Sequence, residues 1–499
     1  MQVPQSTPSP PSYEQLREHS ARQQGQIQAL LRQQQIMLQE HSLQSAHIAQ
    51  LSKLILELQA RLGKNSTNSS KPPSSEGLAK PAPKSLRIAG QRPVGAPKGH
   101  RGGTLRQSHV VDTVIEHFGP AQCSACLSLL IDHNVVERRQ VFELPTLRAQ
   151  VTEHQAMRSL CSNPACRAVY VGIFPVDIKA PVQYGARLKA VCVNLNQQQF
   201  VPLARTCEVM LDTFGVVLSQ TSVLAFTHEA AQVLQPLNKQ IAQAIQRASV
   251  VCADESGIRI KGKLEWLHCA VTPSLSYLEH HPKRGMQAMD KIGIVCKAVG
   301  TLVHDGLQSY KQLDCAHSLC NAHHLRELVY VRDSLNEKAF DDWADQMIQT
   351  LLQGKKEVDE RGGPLEPARL RWYEAKWLGL LDAADKFNLR QGNEGAPKKG
   401  RHKQTVQFNL LGRLRLHRAD VWRFASDVGV PFTNNLAEQA LRMSKVRQKV
   451  SGCFRTDAGA RTFFAIRTYL QTMRKQRINL FDCLVSVFNH RPIEPAFTL

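Results

Sequence analysis

The feature that most constrains this chain is a change of period at residue 249. Upstream, "HEAAQVLQPLNKQIAQAIQRA" carries an apolar stripe at helical spacing. Downstream, "ASVVCADESGIRI", "KLEWLHCAVT" and "LSYLEHH" read as three strands, followed by a short helical piece near "GMQAMDKIGIV" and a fourth strand in "AVGTLVHDGLQSY".

Three strands, a helix and a further strand is the opening order of a ribonuclease-H-like sheet, so the expected fold class is a multidomain α/β protein built on a ribonuclease-H-like mixed-sheet core. Asp254 ends the apolar run from Ser249 to Ala253, and Asp305 ends "GTLVH". Each therefore stands at the carboxyl end of a predicted strand, where ligands of α/β sheets collect. Glu255 should point to the opposite face of its strand, and Asp314 lies in the loop beyond, so Asp254 and Asp305 are the preferred pair. Taken singly, either reads equally well as a turn acid.

Charge narrows the partner. Across 499 residues the formal net charge is +21, which favours a polyanion, nucleic acid first. No apolar run approaches the roughly 20 residues of a spanning helix, and "MQVPQSTPSPPSYEQ" lacks the regions of a signal peptide. A cytoplasmic protein with no membrane partner is expected. Thirteen cysteines without a secretion signal argue for reduced thiols, some of them metal-bound.

The chain divides by composition. Residues 1–13 read as disordered and 14–62 as a coiled coil, with Ile27, Leu30, Met37, Ile48, Leu51, Ile55, Leu58 and Leu62 on one three-and-four spacing interrupted by Gln34, His41 and Gln44. Self-association into a homo-oligomer follows. Residues 63–108 form a Ser/Pro-rich linker and a basic arm, in which Lys98 and Arg101 are candidate phosphate contacts. A small zinc-finger-like DNA-binding module is expected over 109–175, with Cys123, Cys126, Cys161 and Cys166 as four thiolates for one structural Zn2+. The second pair encloses four residues instead of two, and His154 is an alternative ligand. Residues 176–248 read as a helical DNA-binding or connecting region, 249–330 as the first part of the core and 331–430 as a helical insertion whose core holds Trp343, Trp372 and Trp377. Residues 431–499 complete the core.

In "VPFTNNLAEQALRMSKVRQK" a single carboxylate, Glu438, stands among basic residues. Asn435 and Glu438 fit a capping box, and Glu438 with Arg442 fits an (i, i+4) pair. Ala437, Ala440, Leu441 and Ser444 form one small face, whereas Asn434, Glu438, Arg442, Lys445 and Lys449 form another that suits a phosphate backbone. "CNAHHLREL" adds Cys320 and His323 on one helix face, two ligands where a zinc site needs more, so a supporting role is expected. His324 and Arg326 are weaker phosphate contacts.

"ADESGIRI", "LVHDGLQSY", "HSLCNAHHLREL" and "VPFTNNLAEQALRMSKVRQKVSGCFR", with "GKNSTNSSKPPSSEG" upstream, resemble the transposases of the insertion sequence 66 family, a branch of the DDE transposases. The likeness runs from about residue 20 to the C-terminus. It implies a core whose acids, here Asp254, Asp305 and Glu438, hold two Mg2+ or Mn2+ ions. Water then cuts the ends of an insertion element, and the freed 3′-hydroxyl attacks target DNA. The resemblance also implies that Arg442, Lys445, Arg447 and Lys449 hold DNA near Glu438, and that a zinc-finger-like module and a coil are present. The wide Cys161/Cys166 pair departs from the expected spacing. Accessory proteins of the same element and a nucleoid-associated bacterial location go with this reading. Two alternatives are a non-catalytic DNA-binding repressor and a hydrolytic nuclease of the same fold.

Overall fold

The computed structural model describes residues 12–62, 105–131, 134–334, 342–388 and 404–497. The linker and most of the basic arm, Lys98 and Arg101 included, lie outside the described residues. The chain divides into two compact units, and the one comprising Lys84–Ala322, Thr350–Leu381 and Leu411–Leu499 contains the sheet. The N-terminal helix α1 (Tyr13–Leu62) belongs to the other. Ile27, Leu30, Met37, Leu51 and Ile55 on α1 are all exposed, so one chain leaves that apolar seam uncovered.

In the sheet-bearing unit a small antiparallel hairpin, β1 (Arg158–Leu160) and β2 (Val169–Val171), precedes α2 (Ala186–Val193), which continues through a π-helical turn at Asn194–Gln198. Helices α3 (Leu203–Phe214) and α4 (Gln220–Gln246) follow. Ser219 starts α4 by accepting the Ser222 N–H on its hydroxyl.

The predicted order of strands is present. β3 (Val250–Ile260), β4 (Lys263–Val271) and β5 (Ser276–His281) form an antiparallel meander, α5 (Met286–Ile292) crosses over, and β6 (Thr301–His304) and β7 (His317–Leu319) add in parallel. The spatial order β5-β4-β3-β6-β7 makes a mixed sheet compatible with a ribonuclease-H-like core. Gly300 fixes where β6 enters: a Cβ there would lie 2.3 Å from the carbonyl oxygens of both Ala248 and Ser249.

Beyond the sheet come α6 (Asn321–Ser334), α7 (Asp342–Arg361), α8 (Pro367–Phe387), α9 (Val406–Leu416) and α10 (Arg418–Ser426). Trp343 and Trp377 are buried as expected, and Trp377 meets Trp422 edge to face. Trp372 departs from the expected core position, being 45% exposed under the cations of Arg369 and Lys376.

Three C-terminal helices, α11 (Asn435–Ser451), α12 (Asp457–Lys475) and α13 (Leu480–Phe488), complete the unit. The sheet is covered on both faces. Ile241 and Ile245 of α4 and Met289 of α5 pack with Val251, Ala253 and Ala270 on one side. On the other, α12 donates the Thr468 and Thr472 hydroxyls to the carbonyls of Leu278 and Ser276, and α11 lies over β3 and β4. Among the described residues no helix is long and apolar enough to cross a membrane.

Candidate active site

The parallel ladder sets the first two acids level. Val250, Val251 and Cys252 pair with Thr301, Leu302 and Val303, so Asp254 and Asp305 each follow the last pair by two residues and share a sheet face. Asp254 Oδ1 accepts the N–H of Glu255 at 2.8 Å. Asp305 Oδ1 accepts the N–H of Leu307 at 3.0 Å around Gly306, whose φ of 93° suits a glycine.

Glu438 reaches this face because α11 is tied to β3 at both ends. At its start the Asn434 side-chain amide donates to Ala253 O at 2.8 Å, and the Asn434 N–H donates to Cys320 Sγ at 3.2 Å. Cys269, the β4 partner of Asp254, points its thiol at Ala437 O across 3.6 Å. At the far end Phe454 bridges Ile260, exchanging backbone hydrogen bonds with Arg259 and Lys261 at 3.0 and 2.8 Å. The lengths agree: 17 helical residues span about 25 Å, and the seven steps from Ala253 to Ile260 about 23 Å.

The Asn435–Glu438 capping box, the alternative role that the sequence allows Glu438, does not form. The N-cap is Asn434, whose side chain makes no cap bond because it is engaged on β3, while Asn435 is exposed. A tertiary anchor replaces the local one. Glu438 is half-buried, and its Oε1 is enclosed without a hydrogen-bond partner.

Charge accumulates at Asp254. Burial first, then the negative charges of Asp305, Glu255 and Glu438, push its carboxyl well above the usual carboxylate range, against the Glu255 N–H that favours the anion. Glu255 itself is taken up on the opposite face, as strand alternation predicts. Arg284 donates to its Oε1 through Nε at 2.9 Å and Nη2 at 2.6 Å, and the Tyr310 hydroxyl donates to Oε2 at 2.8 Å. Arg284 also stacks over Trp266, with 4.7 Å from Cζ to the ring centre. Both Glu255 oxygens are therefore engaged away from the Asp254 face.

The basic residues of α11 divide in a way the helical period did not reveal. Lys445 donates to Gly257 O, and burial lowers its pKa. Arg447 lies 3.7 Å from the Phe454 ring centre, with burial pushing its pKa down to about 10. Both are turned into the protein, contrary to the outward phosphate-binding position expected for them. Arg442 and Lys449 are exposed.

Cys320 is buried and accepts from Asn434, with its Sγ within 4.8 Å of a Glu438 carboxylate oxygen. His323 stands in the first turn of α6, half-buried, with Nδ1 enclosed and unpartnered. Cys269 is the contact residue that sequence reasoning passed over, while Cys320, expected in a supporting role, and Asn434, expected on the phosphate-facing stripe, both serve to anchor α11. Each acts through a contact between segments far apart in sequence, and the "TNN" doublet was the one local signal.

The two cysteine pairs adopt the same turn. The Cys123 N–H donates to Ser128 O at 2.9 Å and the Cys161 N–H to Ala168 O at 2.8 Å, in each case two residues past the second cysteine. The residue following that cysteine, Leu127 or Arg167, has positive φ, 61° or 47°. The wider pair accommodates its two extra residues by an inner turn, in which Asn163 Oδ1 accepts the Ala165 N–H at 3.0 Å. All four thiols are free, and Ser128 lowers the Cys126 pKa by hydrogen bonding. Among the described residues no three of these sulfurs lie within 4.8 Å of one another. His154 is exposed.

Three similarities bear on these observations. Residues 8–106 match a family of unknown function, DUF6444. An uncharacterized protein, y4qI of Sinorhizobium fredii (strain NBRC 101917 / NGR234), is 23% identical over 419 residues, covering 80% of this chain and 75% of that protein. Residues 181–462, which contain the whole five-stranded sheet, Asp254, Asp305 and Glu438, match the profile described as "Transposase IS66 family". With more than half of its length matched, the chain belongs to the IS66 family of transposases.

Proposed function

We propose that the protein binds the ends of an insertion element and catalyses divalent-metal-dependent DNA cleavage and strand transfer, with Asp254, Asp305 and Glu438 as the metal-holding acids. The observation that carries this reading is that the β3–β6 register and the Asn434–Ala253 hydrogen bond bring three acids far apart in sequence to one sheet face, where the charges of Asp305 and Glu438 add to burial in raising the Asp254 pKa.

The residues fit hard divalent cations. Their donors are carboxylate oxygens, Asp254 is disfavoured as a bare anion, and Glu438 Oε1 is enclosed without a donor. When bound, two Mg2+ or Mn2+ ions would offset the negative charge that develops on the attacking and leaving oxygens of phosphodiester transfer. The chain supplies the rest. The β3–β6 register holds Asp254 and Asp305 level, the Asn434 anchor brings the first turn of α11, with Glu438, over the strand that carries Asp254, and Arg284 with Tyr310 keeps Glu255 off the site. Arg442 and Lys449, exposed on α11, hold the DNA backbone.

Three further parts belong to the same reading. The uncovered seam of α1 mediates self-association as a coiled coil. The matched cysteine turns hold a structural Zn2+ in a DNA-binding module, Lys98 and Arg101 add phosphate contacts, and the protein works on bacterial cytoplasmic DNA. Incubating full-length protein with a labelled element end and Mg2+ tests the proposal. Cleavage followed by joining to target DNA is expected. A shift without nicking identifies a repressor, and cleavage of intact ends with no joining of pre-cleaved ends identifies a nuclease.

A further inference from the structure

A second group of metal-ligating side chains stands on the same sheet face as Asp254 but well away from it. Glu265 of β4, His280 of β5 and Asp457 of α12 bring one ligand atom each to within 4.8 Å of one another. Glu265 pairs with Ile258 in the ladder, four residues along β3 from Asp254, a separation of about 13 Å along the strand. His280 faces Leu267, so Glu265 is its diagonal neighbour on one face. Asp457 arrives from above, in the first turn of a helix capped by Thr456.

The simplest account of these residues is an ion pair. His280 Nε2 lies 2.9 Å from Asp457 Oδ1, and an acid in a first helical turn is favourable in itself. That account leaves Glu265 unexplained. Its Oε2 is enclosed without a hydrogen-bond partner, and it stands 3.7 Å from His280 Nε2, too far for a proton on that nitrogen to serve it. The His280 side chain is only 3% exposed, and its Nδ1 is likewise unpartnered. With its proton on Nδ1 the neutral ring would present the Nε2 lone pair to the two carboxylates, and a cation between the three would then join them and give Glu265 Oε2 the partner it lacks.

The spacing suits such an ion. Bonds of about 2.0 to 2.2 Å in tetrahedral geometry set ligand atoms roughly 3.4 Å apart. The two separations from His280 Nε2, 2.9 Å to Asp457 and 3.7 Å to Glu265, fall on either side of that value. Arg461 pairs with the other oxygen of Asp457, Oδ2, at 2.8 Å, which leaves Oδ1 for the site. Three protein ligands leave a further position for water.

We infer that Glu265, His280 and Asp457 form a binding site for a borderline divalent cation of the Zn2+ type, which staples the β4–β5 hairpin to the start of α12. The donor set of one imidazole and two carboxylates separates it from an all-oxygen Mg2+ site and from a thiolate Zn2+ site.

Co2+ is the probe. Full-length protein, stripped with chelator, is titrated with Co2+ beside Glu265→Gln, His280→Gln and Asp457→Asn. The visible spectrum separates thiolate-bound Co2+, which adds a sulfur charge-transfer band, from imidazole and carboxylate coordination. The expected result is the loss of one equivalent of non-thiolate Co2+ in each variant, with the thiolate band unchanged and Zn2+ displacing the lost equivalent from the parent. Glu265→Gln preserves shape, so it decides the matter if His280→Gln fails to fold. A folded Glu265→Gln protein that takes up as much non-thiolate Co2+ as the parent overturns the inference, and so does a parent with no such Co2+ to lose.

Discussion

Asn434 donates its side-chain amide to the carbonyl of Ala253, the residue immediately before Asp254, across 2.8 Å. Through this bond the first turn of α11, and Glu438 with it, is registered against the strand that carries the first acid. Asn434→Ala should cost about 1 to 3 kcal/mol in stability, because it orphans a buried carbonyl, and should reduce cleavage more than DNA affinity. Thermal melts beside single-turnover cleavage and gel-shift titration check this. Equal losses in cleavage and affinity would count against a positioning role.

Asp254 makes a prediction about pH. Its folded-state pKa lies above the ordinary value of 3.8, raised by burial and by the charges of Asp305, Glu255 and Glu438. The folded state therefore holds a proton that the unfolded state releases. The stability this contributes is complete below the unfolded pKa and is lost as pH rises through the raised folded value. Metal-free wild type should accordingly melt lower at neutral pH than in mild acid. Asp254→Asn should remove that component and melt higher than wild type at neutral pH, by on the order of 2 to 4 °C for each kcal/mol relieved. Calorimetry across pH with chelator present measures it.

The basic residues of α11 should separate by experiment as they do in space. Arg442→Ala and Lys449→Ala are expected to weaken DNA binding on every sequence and to lower the salt slope by about 1 each. Arg447→Ala should act through lost packing on Phe454, costing about 1 to 2 kcal/mol in stability while leaving the salt slope unchanged. Binding isotherms over a range of salt, read beside urea denaturation, distinguish the two classes.

Gly300→Ala should be severely destabilising, by about 3 kcal/mol or more. The added methyl would meet two carbonyl oxygens of the α4–β3 junction, where the backbone cannot yield without moving β6 and the adjoining Asp305. Urea denaturation of the variant checks it, and a midpoint close to that of wild type would show that the junction can relax.

The sheet and the level of two acids were legible because both are local. Asp305 follows the end of β6 as its apolar run predicts, whereas Asp254 lies inside β3 and not at a strand end, because β3 runs on to Ile260 in its pairing with β4; alternation alone places Glu255 on the other face. What α11 does with its residues was less legible. Asn434, Glu438, Arg442, Lys445 and Lys449 form one stripe by period, yet a period does not say which part of a basic stripe meets protein. Lys445 reaches back to Gly257, Arg447 folds onto Phe454, and Asn434 abandons its cap for Ala253. Each outcome depends on segments some 180 residues away or on a turn that exists only after α11 has docked. Trp372 shows the same limit, since helical spacing did not separate it from the buried Trp377.

If Asp254, Asp305 and Glu438 share divalent cations, replacing each in turn by cysteine should change which metal supports cleavage. A thiolate is a poor ligand for Mg2+ and a better one for Mn2+. Element-end cleavage by each folded variant should fall at least about 100-fold in Mg2+ and return in part when Mn2+ is supplied. Cleavage at the wild-type rate in Mg2+ by any one of the three would contradict the account.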